Sequence, residues 1–217
     1  MNREWQFDPT EAERLGISPD QLEAATAEAK RRGSLLLVDA WAPWCHTCLS
    51  MKREVLAKPE LGSYGDRVVF AAIDTDKPSS AAFMGRYAVE VWPTFFIIDP
   101  EVDRVLAVHG GSASLAEIRG VIDGALALRS SGGGGAFEEA LAEGAAAYAA
   151  RRFRDAVTAY QRAADITHPR ASEACLGAAR ASFEAEDFAT CAEIGARHLD
   201  AVAGSAMATD FTYYVRE

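Results

Sequence analysis

The chain has 217 residues and a formal net charge of −10, with 49% hydrophobic and 25% charged residues. Such a mix supplies core for one large globular domain or two modest ones, and a field of that sign repels phosphate backbones, which excludes generic nucleic-acid binding. No stretch is long and apolar enough to span a bilayer, so no membrane partner is expected. The N-terminal MNREWQFDPTEAERLG lacks the basic start and apolar run of a secretory signal. The expected address is cytoplasmic, although an exported protein relieved of its leader would read the same.

In chain order, SPDQLEAATAEAKRR (18–32) reads as a helix with a Ser cap and Pro at its first position, stopped by Gly33. SLLLVDAWA (34–42) is a nearly continuous apolar run, as in a strand buried on both faces. A helix is expected from Cys45 to about Lys58, halted near Pro59. RVVFAAIDTD (67–76) is a second buried strand and SSAAFMGRYA (79–88) a short helix. TFFIID (94–99) and RVLAVHG (104–110) are two strands joined by a Pro-containing turn, hence antiparallel. SLAEIRGVIDGALAL (114–128) closes the series as an amphipathic helix. The fold class is α/β, a mixed sheet flanked by helices.

The character changes at SSGGGG (130–135), a linker composition. A phosphate-cradling loop would need Lys-Ser/Thr next, and Ala136-Phe137-Glu138 follows instead. The expected division is 1–129, a linker 130–135, and 136–217. Beyond the linker the strands vanish, and a shift of 35 residues brings like onto like: Gly144 onto Ala179, Ala147 onto Ser182, Tyr148 onto Phe183, Phe153 onto Phe188, Ala156 onto Cys191. Small residues let two helices approach and aromatics fill the space beside them, so the unit is a stacked helix–turn–helix pair. Gly144, Ala147, Tyr148, Phe153, Ala156, Tyr160 and Ala163, with Pro169 near the end, resemble the tetratricopeptide (TPR) repeat. A second copy covers about 171–204, and MATDFTYYVRE (207–217) opens another helix or caps the stack. Stacked repeats present grooves for protein partners.

Of four cysteines, Cys45 and Cys48 form a close pair inside WAPWCHTCLSM (41–51). Three readings are open. A structural zinc site needs about four Cys or His ligands; His46 is local, but His109, His168 and His198 are scattered and no second close pair exists. Two unconnected core thiols are the bland alternative. The third is a redox pair, for which a cysteine at a helix N-terminus is favoured as thiolate and a second, one turn inward, is placed to resolve a mixed disulfide. Cys175 and Cys191 read as buried packing residues.

Residues 34–128 resemble the thioredoxin fold. VDAWAPWCHTC is similar position by position to that family's active-site segment, and WPTFF (92–96) stands at the expected distance downstream. The resemblance implies that Cys45 and Cys48 are catalytic and that Pro93 is cis and faces them. It also implies that Trp92 offers backbone groups to an extended substrate, and that Gly110-Gly111 approaches the site closely. Asp39 stands where the family has a buried acid, implying a proton acceptor for Cys48; the alternative is a structural carboxylate satisfied by backbone or water. The family often places a Lys beside that acid from the second strand, but Phe70 occupies the position here, leaving Asp39 without that partner. His46-Thr47 replaces the Gly-Pro of thioredoxins proper and is expected to tune the pair. Trp44 is expected at the contact surface. WCHTCLSMKREVL also resembles the divergent thioredoxin-like domains of bacterial disulfide-exchange proteins.

The expected function is thiol–disulfide exchange on protein disulfides or dithiols, with the repeats binding a protein partner and a separate reductant or oxidant recycling the pair. No metal or dissociable cofactor is expected, because the Cys45–Cys48 pair is itself the reactive group. A cytoplasmic address favours reduction and His46 pulls toward oxidation; reduction is the expected direction. The rival is a non-enzymatic redox-sensing adaptor or chaperone scaffold working through the repeats.

Overall fold

The computed structural model describes residues 17–19, 22–130, 135–205 and 207–216. They form β1 (Ile17–Pro19), α1 (Leu22–Arg32), β2 (Leu35–Trp41), α2 (His46–Met51) running into a π-helical turn (Lys52–Leu56), a 3-10 helix (Pro59–Tyr64), β3 (Val68–Asp74), a 3-10 turn (Pro78–Ser80) and α3 (Ala81–Arg86). Then come β4 (Thr94–Asp99), β5 (Arg104–Gly110), α4 (Leu115–Ser130), α5 (Ala136–Ala149), α6 (Phe153–Ala164), α7 (Ala171–Glu184), α8 (Phe188–Val202) and α9 (Ala208–Arg216). Of the expected linker, Ser130 ends α4, Gly135 caps α5, and 131–134 lie outside the described residues.

The sheet order is β1-β3-β2-β4-β5. β1 and β2 run parallel to β3, and β4 runs antiparallel to β2. Every residue of β3 and β4 is buried, and all of β2 but Trp41, which is why those segments read as nearly continuous apolar runs. The expected helix over 18–32 is corrected at its start. Ser18 and Pro19 lie in β1, and α1 is described only from Leu22. Three residues cannot display a period of two, and an edge strand tolerates a proline that a central one would not. The helix after Cys45 is also corrected: its hydrogen bonding widens at Lys52, whose carbonyl accepts from Ala57 N five residues on.

Contacts divide the chain into two compact units, one extending to Arg104 with His109–Leu115, the other comprising Val105–Val108 and everything from Ala116. In the second, α5 to α9 pack each on the next, a TPR-like stack. The 35-residue repeat is carried by the backbone as well as by side chains. Tyr148–Phe153 and Phe183–Phe188 are matching edge-on ring pairs with centroids 5.3 and 6.0 Å apart. Arg151 and Glu186 both hold φ of 56°. Each is followed by an N–H reaching back five residues, Arg152 N to Ala147 O and Asp187 N to Ser182 O, both 2.9 Å, the bond that closes a helix end. The small-residue rule is met literally at Gly144, where a Cβ would stand 2.6 Å from the Tyr160 ring. Cys175 and Cys191 are buried free thiols, and burial pushes Cys175 up to about 11.

Candidate functional site

β2 ends at Trp41, and the chain turns through Ala42-Pro43-Trp44 into α2. Cys45 is the N-cap of that helix; its Sγ accepts the Cys48 N–H at 3.0 Å, a bond that favours negative charge on this sulfur. Cys45 and Cys48 form a disulfide. They pack with Ala42 against Trp41 and Trp92. Cys48 is 1% exposed and Cys45 6%, so Cys45 is the outer of the two. His46 and Thr47 project to solvent from the first turn.

Three segments distant in sequence meet beside the pair. The Trp92–Pro93 peptide is cis, and Pro93 is buried. Gly110 closes β5, and its neighbour Gly111 donates its N–H to Pro93 O at 2.8 Å with a φ of 89° that favours glycine. Trp44, 57% exposed, stands tilted against Trp92 with centroids 5.4 Å apart. Both indole N–H groups donate to the loop after β3: Trp44 Nε1 to Asp76 Oδ2 at 3.0 Å and Trp92 Nε1 to Thr75 Oγ1 at 2.9 Å. Thr75 is tied back by its N–H and hydroxyl, both donating to Trp41 O. The loop thus holds the aromatic wall beside the disulfide.

Asp39 lies mid-strand in β2, 4% exposed, and its Oδ1 accepts no hydrogen bond among the described residues. Burial, opposed by the positive charge of Lys52, pushes its carboxyl from 3.8 up to about 6. The expectation that Asp39 has no cationic partner is therefore corrected. Phe70 does occupy β3, paired with Leu37, and Ala72 pairs with Asp39. The charge comes instead from Lys52, on the helical stretch that carries the cysteines. Sequence reasoning passed over Lys52, Thr75 and Asp76. For Lys52 a signal existed: Cys45, Cys48 and Lys52 are spaced as one helix face. For the loop there was none, since its bonds span 17 to 34 residues. Among the described residues no group of three or more His, Cys, Asp or Glu is arranged to hold a metal ion.

Residues 18–100 match a family model described as thioredoxin-like. This part of the chain is a thioredoxin-like domain. Thiol:disulfide interchange protein DsbD 2 of Pseudomonas aeruginosa is 33% identical over 85 residues, covering 38% of this chain and 14% of that protein. TPR repeat-containing thioredoxin TDX of Arabidopsis thaliana is 36% identical over 97 residues, 44% of this chain and 24% of that one. A solved thioredoxin from Thermus thermophilus is 24% identical with a TM-score of 0.45, covering 50% of this chain and 86% of the other. The matched stretch thus spans at most a quarter of the two curated relatives.

Proposed function

We propose that the thioredoxin-like domain is a thiol–disulfide oxidoreductase acting on protein disulfides, and that the repeats hold a protein partner. The observation that carries the reading is the Cys45–Cys48 disulfide at a helix N-cap, with the outer sulfur accepting a backbone N–H. In the reducing direction the Cys45 thiolate attacks one sulfur of a client disulfide. A Cys45–client bond forms and the first client thiolate leaves. Cys48 gives its proton to Asp39 and attacks Cys45 Sγ; the internal disulfide forms and the second client thiolate departs. Two electrons pass from the pair to the client, and an external dithiol must return them. The chemistry needs no metal or dissociable cofactor. Trp44, Trp92 and Pro93 are the groups proposed to meet the client, with Gly110-Gly111 alongside, and His46 and Thr47 to tune the pair.

The test is equilibration of the pair against glutathione buffers, beside insulin reduction by the intact chain. A potential near ~−270 mV with turnover supports the proposed reducing direction, whereas one near ~−180 to −120 mV reverses it. A Cys48→Ser variant is expected to accumulate the Cys45–client mixed disulfide. Absence of both turnover and that adduct would sink the enzyme and leave the adaptor.

A further inference from the structure

The residue before the cis-proline carries a large ring, and two hydrogen bonds in series fix that ring in place. Trp92 packs against the cluster of Ala42, Cys45 and Cys48 and lies tilted on Trp44, with centroids 5.4 Å apart. Its Nε1–H, the only polar group of the indole, donates to Thr75 Oγ1 at 2.9 Å. The Thr75 hydroxyl donates in turn to Trp41 O at 3.1 Å, so a lone pair is left to receive the indole. A hydroxyl that gives one hydrogen bond and takes another strengthens both. The relay runs from the segment before Pro93, through the loop after β3, to the end of β2 that leads into the cysteine turn.

Trp41 O does not depend on that hydroxyl, because the Thr75 N–H donates to the same carbonyl at 2.8 Å. What the hydroxyl alone supplies is the acceptor for Trp92. Beside it, Asp76 Oδ2 accepts from Trp44 Nε1 at 3.0 Å. Both indoles thus turn their only polar group to one loop, and the ring surface left to a client is apolar. Trp44 is exposed and Trp92 half-buried. A segment entering the site meets rings whose donors are already taken. An apolar side chain next to its cysteine gains by covering them, whereas a polar one is stripped of water without a partner.

We propose that Thr75 is a positioning residue for client selection: it holds the Trp92 indole against Trp44 as a preformed apolar wall, which favours client disulfides whose cysteine is flanked by apolar side chains. The inference rests on the oxidoreductase reading above. Thr75 takes no part in the bond changes, which remain the attack of Cys45 on the client and the resolution by Cys48. Its contribution is to order the ring before a client arrives, so that docking does not bear that cost.

The experiment follows, by chromatography, the reduction of two cyclic peptides by the reduced intact chain. Each peptide is closed by one disulfide, and they differ only in whether leucine or glycine flanks the first cysteine. The wild type should reduce the leucine peptide with the larger second-order rate constant. Thr75→Val, which removes the acceptor, should lower that preference by about 2- to 10-fold, the cost of immobilising one side chain. Thr75→Ser should restore it. Trp92→Phe, which keeps a ring and loses the N–H, should lower it likewise, with no further loss when Thr75→Val is added. Thr75→Ala replaces the valine variant should that one fail to fold. A wild type without preference for leucine, or a preference that Thr75→Val leaves intact, overturns the proposal. So does an equal loss of rate on both peptides, the signature of packing damage alone. Failure of the wild type to reduce either peptide, with no Cys45–peptide adduct in Cys48→Ser, would instead overturn the oxidoreductase reading and this proposal with it.

Discussion

Asp39→Asn tests the buried carboxyl directly, through stability. The unfolded chain loses the Asp39 proton near 3.8, the folded chain only near 6. Between those values the folded state binds more protons, so stability falls as pH rises and then levels off above the folded value. The gap corresponds to about 3 kcal/mol lost by neutral pH. Asparagine carries no charge and escapes this loss. The stability of Asp39→Asn relative to wild type should therefore improve by up to about 3 kcal/mol on going from pH 4 to pH 7.5. Urea unfolding of the oxidised protein followed by tryptophan fluorescence measures it, because Trp41, Trp44 and Trp92 lie in the first compact unit and report on it. A wild-type-to-variant difference that is flat between the two pH values would refute the argument that burial outweighs Lys52. The same substitution is expected to slow breakdown of the mixed disulfide, so the residue would stabilise the fold by its loss and slow the chemistry.

The helical stack offers two further tests. Alanine in place of a helical glycine ordinarily gains about 1 kcal/mol, but at Gly144 the new Cβ would lie 2.6 Å from the Tyr160 ring, and a Cβ at Gly177 would meet the same ring at 2.9 Å. Overpacking of about 1–3 kcal/mol wins, and Gly144→Ala should lower the Tm in a circular-dichroism melt; an unchanged or raised Tm would show that Tyr160 yields freely. Conversely, Arg151→Gly and Glu186→Gly should each stabilise by about 0.5–1 kcal/mol, because φ of 56° burdens any residue with a Cβ. A loss of stability in urea titration from both would mean that their side chains contribute more than the backbone strain.

What the sequence determined by itself is whatever local pattern encodes. The segments at 35–41, 68–74 and 94–99 are mostly apolar because those strands are buried along nearly their whole length. The segment that carries the Cys45–Cys48 pair is legible because a strand end, a tight turn and a cysteine-led helix are consecutive in the chain. The repeat is legible because close helix packing restricts Gly144, Ala147 and Ala156 to small residues. The tertiary structure alone decided the rest. β1 is three residues long and owes its conformation to pairing with β3, not to any preference of its own. The widening of the helix at Lys52 follows no local residue rule. The wall formed by Trp44 and Trp92 depends on Thr75 and Asp76, which only folding brings near. The charge that acts on Asp39 is the clearest instance: which cation opposes the effect of burial on an acid is set by the fold. Here it is that of Lys52, whose Nζ lies over the Trp41 ring on the same strand.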